Sequence, residues 1–212
     1  MISAYSFGYH KTLNSWERGL NLLVDSGGFS VRKRSVSIDV VAYAEFLHRN
    51  RVRVVFNLDT LDVEESIRHQ RYLEKHTPTY IIPVYHYSEF LDAKYRCWLI
   101  DLIEEYHFIG IGGTVGESLS KKKCLFDFVF SNTRIKTKIH GLGVNAPPLL
   151  QAYPFYSVDS TVWTSGGMWG ADPVRTHRKD KAKFTGQNYM QKAQINVERL
   201  LDYEQYITRL WL

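Results

Sequence analysis

Six short apolar runs, each closing on a polar or glycine residue, punctuate this chain, and several are followed by helix-like stretches. They are Leu22–Val24 leading into Asp25, Val52–Asp59, Tyr80–His86, Phe108–Gly113, Lys138–Val144 and Phe155–Asp159. Runs of this length, rich in β-branched and aromatic residues, read as buried strands. Between them lie amphipathic stretches with helix-start signals: Ser37 before Ile38 to Asn50, Asp62 with Glu65 as a capping box, and Ser88 before Glu89 to His107. Strands that are hydrophobic along their length and alternate with helices predict an α/β fold with a parallel sheet covered on both faces. That sheet is either a closed (β/α)8 barrel or a doubly wound open sheet.

The strand ends carry the chemistry. Asp25-Ser26-Gly27-Gly28-Phe29 places a carboxylate on a turn that two glycines open to positive φ and to close approach by a flat ligand. An aspartate opening a tight turn is ordinarily a turn residue, so the pentapeptide by itself says little. Repetition changes the weight: Asp59, Gly112-Gly113 and Asp159 fall at the carboxyl ends of later strands, the end at which a barrel gathers its functional groups. An open sheet uses its strand ends around one crossover only, so candidates on successive strands favour closure.

At 212 residues the chain fits one domain, residues 1 to 212, or one barrel slightly shorter than usual, and its 44% hydrophobic and 14% aromatic content suffices for a core. No run has the length of a membrane span, and the first residues lack the basic start and cleavage site of a signal peptide, so a cytoplasmic protein is expected. Cys97 and Cys124 stand far apart without ligand-spaced partners, which argues against a disulfide scaffold or a four-ligand zinc site. No cofactor is expected.

The formal charge is +5 and the basic residues cluster. Lys121 to Lys123 reads as the exposed start of a helix. The clusters Arg32-Lys33-Arg34 and Arg175 to Lys183, the latter containing Arg178, Lys179 and Lys181, each follow a strand end and are candidates for gripping a polyanion. Thr164 to Pro173, rich in glycine and carrying Trp169, reads as a flap. Residues 187 to 212 read as a terminal helix with Tyr189, Ala193, Val197, Leu200, Leu201, Tyr206 and Leu210 at helical spacing as its packing stripe. His86 and His140 read as hydrogen-bonded packing histidines.

Asp-Ser-Gly-Gly-Phe, Phe-Asn-Leu-Asp, Ile-Gly-Gly-Thr-Val-Gly-Glu, His-Gly-Leu-Gly-Val and Ser-Val-Asp-Ser, in this order from about Val24 to Asp159, resemble the ordered motifs of the tRNA-guanine transglycosylases. The resemblance implies a TIM-like barrel that exchanges a guanine in a nucleic acid for a 7-deazaguanine base. Residue by residue, it implies that Asp159 is the nucleophile, that Asp25 is the general acid and base, and that Asp59 reads the purine edge. Phe29 and Leu142 would sandwich the base, the Gly112-Gly113 backbone would line its pocket, and Ser26 and Tyr85 would touch it. The chemistry suits these residue types. A carboxylate stabilises or bonds to the sugar carbon as the glycosidic bond breaks, and a second protonates the departing base and deprotonates the incoming one. An acceptor-only carboxylate takes the amino and ring N–H donors of guanine and rejects adenine. The target base must leave its stack to be reached.

The departures from the family pattern are equally specific. There is no cysteine-rich zinc subdomain, Ser30 replaces a glutamine, Tyr85-His86 replaces a Gln-Gly pocket motif, and the glycine-rich strand end is one residue short. Met1 to Tyr9 resembles the family's second strand, which leaves the first absent or supplied from elsewhere, around Lys183-Phe184-Thr185 for example. A trimmed, zinc-free form resembles the 7-deazaguanine DNA transglycosylases of bacteria and phages, which makes DNA the expected partner and the host cytoplasm the expected location if a phage encodes the chain. Two alternatives stand beside this: a tRNA-modifying enzyme with a reduced frame, and a non-catalytic barrel that binds nucleic acid or a partner subunit. The presence of all three aspartates argues against the second.

Overall fold

The computed structural model describes residues 2–3, 11–12, 23–27, 39–60, 62–134, 136–160 and 188–211. These divide into two compact units, Met1–Ile111 with Arg134–Thr137, and Gly112–Thr133 with Lys138–Leu212. Phe29, Arg32, Lys33, Arg34, the flap at 164 to 173, and Arg175, Arg178, Lys179, Lys181 and Lys183 lie outside the described residues.

In the first unit β1 (Ile2–Ser3), β2 (Leu23–Asp25), β3 (Val54–Phe56) and β4 (Tyr80–Ile82) form a parallel sheet in that order, so each new strand is laid beside the one before it. The register sets Val24 opposite Val55 and Val55 opposite Ile81, a row of side chains that are all at most 2% exposed. Helix α1 (Val40–Asn50) covers this row with Tyr43, Phe46 and Leu47, all fully buried, and the Tyr43 hydroxyl donates to the Phe56 carbonyl at 3.1 Å. The start signal at Ser37 is superseded by Asp39, whose carboxylate accepts the Val41 N–H at 2.9 Å and satisfies an otherwise open helix-end donor. Helix α2 (Val63–His76) starts where expected, with the Asp62 side chain accepting the Glu65 N–H at 3.0 Å.

The run at 80 to 86, read from sequence as one strand, divides at Pro83 into β4 and β5 (Val84–His86). Proline has no N–H to give to a ladder, so pairing lapses there. The two carbonyls at the break face opposite neighbours: Ile82 accepts from the Asn57 N–H at 2.9 Å, and Pro83 accepts from the Gly110 N–H at 2.9 Å. The segment thus serves β3 with one half and β6 (Phe108–Gly112) with the other. Gly110 suits this spot, since a Cβ would stand 2.9 Å from the Phe56 ring and force it to shift.

The single helix expected over 89 to 107 is two, α3 (Tyr87–Leu91) and α4 (Trp98–Glu105). Asp92 interrupts it: its carboxylate accepts the Lys94 N–H at 2.8 Å while its carbonyl accepts from Tyr95 and Arg96. Local side-chain bonding of this kind competes with helix continuation.

The second unit holds α5 (Leu119–Asn132), β7 (Lys138–Gly141), α6 (Pro147–Leu150), β8 (Ser157–Val158) and α7 (Tyr189–Trp211). Lys121 to Lys123 lie in the first turns of α5, as the sequence implied, and the structure shows Ser118 capping it. The core on α5 is aromatic: Phe126 meets Phe155 edge-on at 4.9 Å and Phe130 stacks on Tyr153 at 5.4 Å. The terminal helix forms, but its packed face differs from the expected stripe. Ala193 and Asn196 are buried, whereas Tyr189, Val197, Leu201, Tyr206 and Leu210 remain 40–52% exposed. Of the expected stripe Ala193 is buried as read, and the residue that hydropathy spacing does not pick out is Asn196, an amide at 0% exposure. Among the described residues no helix is long and apolar enough to cross a membrane.

Candidate functional site

The chain is an α/β protein with parallel sheets, and the carboxylates singled out in the sequence sit at strand ends within each unit. In the first, Asp25 is the last residue of β2 and is half-buried, Ser26 behind it is fully buried, and Gly27 adopts φ 85°, a backbone that only glycine takes without strain. Asp59 follows β3 by three residues. Because β2 and β3 are parallel neighbours, both carboxylates leave the sheet at the same edge.

Asp59 is 8% exposed and does not stand alone. Its Oδ2 lies 2.8 Å from Nε2 of His86, and Nδ1 of His86 lies 3.2 Å from Oε1 of Glu89. The other Glu89 oxygen accepts the His86 backbone N–H at 3.1 Å. A carboxylate only accepts hydrogen bonds, so a ring bonded to carboxylates through both nitrogens is an imidazolium. Burial disfavours that charge, but the hydrogen bonds and charges of Asp59 and Glu89 outweigh it and push His86 up to about 9. Two anions and one cation therefore share a buried, hydrogen-bonded cluster.

Glu89 was not among the sequence candidates. The signal was there in His86-Tyr-Ser-Glu89, a histidine at a strand end with a glutamate at the third position of the following helix, able to reach back to its N–H. Tyr85, expected to touch a base, is fully buried on the strand's other face. Its hydroxyl donates to the Arg96 carbonyl at 2.9 Å, and burial holds the phenol far above its usual range. In this structure Tyr85 is a core residue.

In the second unit β7 and β8 pair with His140 opposite Ser157 and Gly141 opposite Val158. Side chains two apart on a strand share a face, so Ser157 and Asp159 both point toward His140. Ser157 Oγ is 2.8 Å from His140 Nδ1, and Asp159 Oδ1 is 3.3 Å from His140 Nε2. Oδ1 also accepts the Gly143 N–H at 2.9 Å, and the Asp159 N–H donates to the Gly141 carbonyl at 3.2 Å, carrying the ladder past β8. Gly143 takes φ 68°, which turns its N–H toward the carboxylate.

The Asp159 side chain is 25% exposed and His140 only 2%. Both contacts fall on Oδ1; Oδ2 makes no hydrogen bond to the described residues. Leu142 lies half-buried in the turn before Gly143, Gly112 is buried at the end of β6, and Gly113 is exposed with φ 73°. Among the described residues no group of His, Cys, Asp and Glu is arranged to hold a metal ion. Comparison with protein-family models and with curated proteins finds no match to this chain.

Proposed function

We propose that this protein is a nucleic-acid guanine transglycosylase, a pentosyltransferase that exchanges guanine in DNA for a 7-deazaguanine base through a covalent bond between Asp159 and the sugar. The observation that carries the reading is the state of Asp159: a partly exposed carboxylate at a strand's carboxyl end, with one oxygen held by His140 and Gly143 and the other uncommitted among the described residues. A nucleophilic carboxylate needs that combination of fixed orientation and a free lone pair.

In the proposed cycle Oδ2 of Asp159 bonds to the anomeric carbon as the bond from that carbon to guanine breaks, and Asp25 gives the departing base its proton. Asp25 then takes a proton from the incoming 7-deazaguanine, whose nitrogen displaces Asp159. Two displacements retain the configuration at the sugar. The proposal takes the parallel strands as staves of one compact TIM-like barrel at whose mouth Asp25, Asp59 and Asp159 would meet. Asp59, hydrogen-bonded to His86 through Oδ2, suits an acceptor for the guanine edge, and the basic clusters at 32 to 34 and 175 to 183 suit a phosphate backbone.

The test is mass spectrometry of nucleosides from separately purified DNA and RNA of cells that make the deazaguanine precursor and express either the protein or its Asp159→Asn variant. The modified nucleoside is expected in DNA with the wild type and absent with the variant. Its appearance only in RNA moves the substrate to tRNA. Its absence from both, or its persistence in the variant, refutes the proposal.

A further inference from the structure

We infer that His140 is a positioning residue for Asp159, held in a single tautomer by Ser157, so that the catalytic end of the second unit is a three-residue chain and not one aspartate; the inference rests on the base-exchange reading for its consequence and on geometry for its form. The sequence offered His140 as a packing histidine, and its burial fits that role. Its bonding goes further. Both ring nitrogens have partners, and the partners differ in kind: a carboxylate oxygen at 3.3 Å from Nε2 and a hydroxyl at 2.8 Å from Nδ1. In the neutral ring one nitrogen donates and the other accepts, and a carboxylate does nothing but accept. The proton therefore sits on Nε2, and Nδ1 accepts the Ser157 hydroxyl proton.

His86 lies between two carboxylates and needs two protons to satisfy them, whereas His140 lies between a carboxylate and a hydroxyl and needs one. The strand register fixes this arrangement, because His140 and Ser157 are partners across the β7–β8 ladder and Asp159 is the next residue on the same face. With Nε2–H and the Gly143 N–H both on Oδ1, the carboxylate loses its rotational freedom and presents Oδ2 outward. A rotor fixed by two donors starts closer to the attack geometry than one that samples its torsion freely.

The experiment compares His140→Gln, His140→Phe and Ser157→Ala with the wild type. Exchange of labelled guanine on a DNA duplex is followed alongside the nitrogen and proton resonances of His140. Gln keeps a donor near the position of Nε2 and Phe keeps only the bulk. The expected result is a fall in kcat of about 10- to 100-fold for His140→Phe with KM within about threefold, substantial recovery in His140→Gln, and a few-fold loss in Ser157→Ala. Equal losses in the Gln and Phe variants, or an effect confined to KM, assign His140 to packing and overturn the inference.

The resonance arm stands apart from activity. A proton on Nε2 that is protected in the wild type, exchanges freely in Asp159→Ala and persists in Ser157→Ala supports the assignment. A ring carrying its only proton on Nδ1 overturns it, whether or not base exchange is seen. A wild type that shows the Nε2 proton and exchanges no base refutes the transglycosylase reading and leaves the positioning of Asp159 intact.

Discussion

Replacing His86 with Gln removes the cation between Asp59 and Glu89 while keeping a polar side chain of similar reach. The structure sets the size of the effect. His86 is 5% exposed, and its two carboxylate partners are 8% and 4% exposed, so solvent screens the cluster weakly. Moving its titration from the ordinary 6.5 to about 9 corresponds to about 3 kcal/mol of coupling between the charge and the folded state. The folded-state value is raised, so this contribution is fully present below about pH 6.5 and is lost as pH rises through about 9.

Near pH 6 the variant should be destabilised by about 3–5 kcal/mol, the usual cost of leaving buried charges uncompensated. Toward pH 9.5 the gap should close by about 3 kcal/mol as the wild type loses its imidazolium. Urea unfolding read by hydrogen exchange in peptides spanning 80 to 91 reports this unit directly. Wild-type and variant stabilities that run parallel from pH 6 to pH 9.5 would show that His86 carries no fold-coupled charge, and the argument from its two carboxylates would fail.

Three further outcomes follow from local geometry and charge. Gly110→Ala should cost about 1–3 kcal/mol in urea unfolding, because the new Cβ would stand 2.9 Å from a buried Phe56 ring and 3.3 Å from Val84; a neutral result would mean that this packing relaxes freely. Asp62→Ala should cost about 1 kcal/mol through loss of the α2 cap, with Asp62→Ser restoring most of it in the same assay. Reversing the charges of Arg175, Arg178, Lys179 and Lys181 should weaken binding to a DNA duplex and flatten its dependence on salt, measured by anisotropy titration from low to moderate ionic strength; an unchanged slope would assign the cluster to the solvated surface.

Much of the architecture was legible because it is local. Hydrophobic runs of strand length, the Asp62 cap, the helix start at Lys121 to Lys123 and the glycine turn after Asp25 all depend on residues within a few positions of one another, and each is found near its expected place. The misreadings have equally local causes. Pro83 interrupts a ladder that hydropathy reads as continuous, and Asp92 ends a helix by bonding to its own neighbourhood. On α7 Ala193 is buried as its place in the stripe implied, but the large apolar residues beside it stay exposed and Asn196 is buried instead, which spacing of apolar residues alone does not indicate.

The candidate site divides in the same way. That Asp25, Asp59 and Asp159 stand at strand ends is a property of the sequence, since the end of an apolar run marks the end of a strand. What those carboxylates bond to is not. His86 meets Asp59 across 27 residues and His140 meets Asp159 across 19, each pairing set by which strands lie side by side and in what register. Short-range preferences determine elements and their ends; only the folded arrangement of parallel strands decides that one buried histidine must be charged and that the other, in its neutral form, donates to the aspartate proposed as nucleophile. The reason is physical: protonation and hydrogen-bond direction depend on neighbours a few ångströms away, and in a β-sheet those neighbours are distant in the chain.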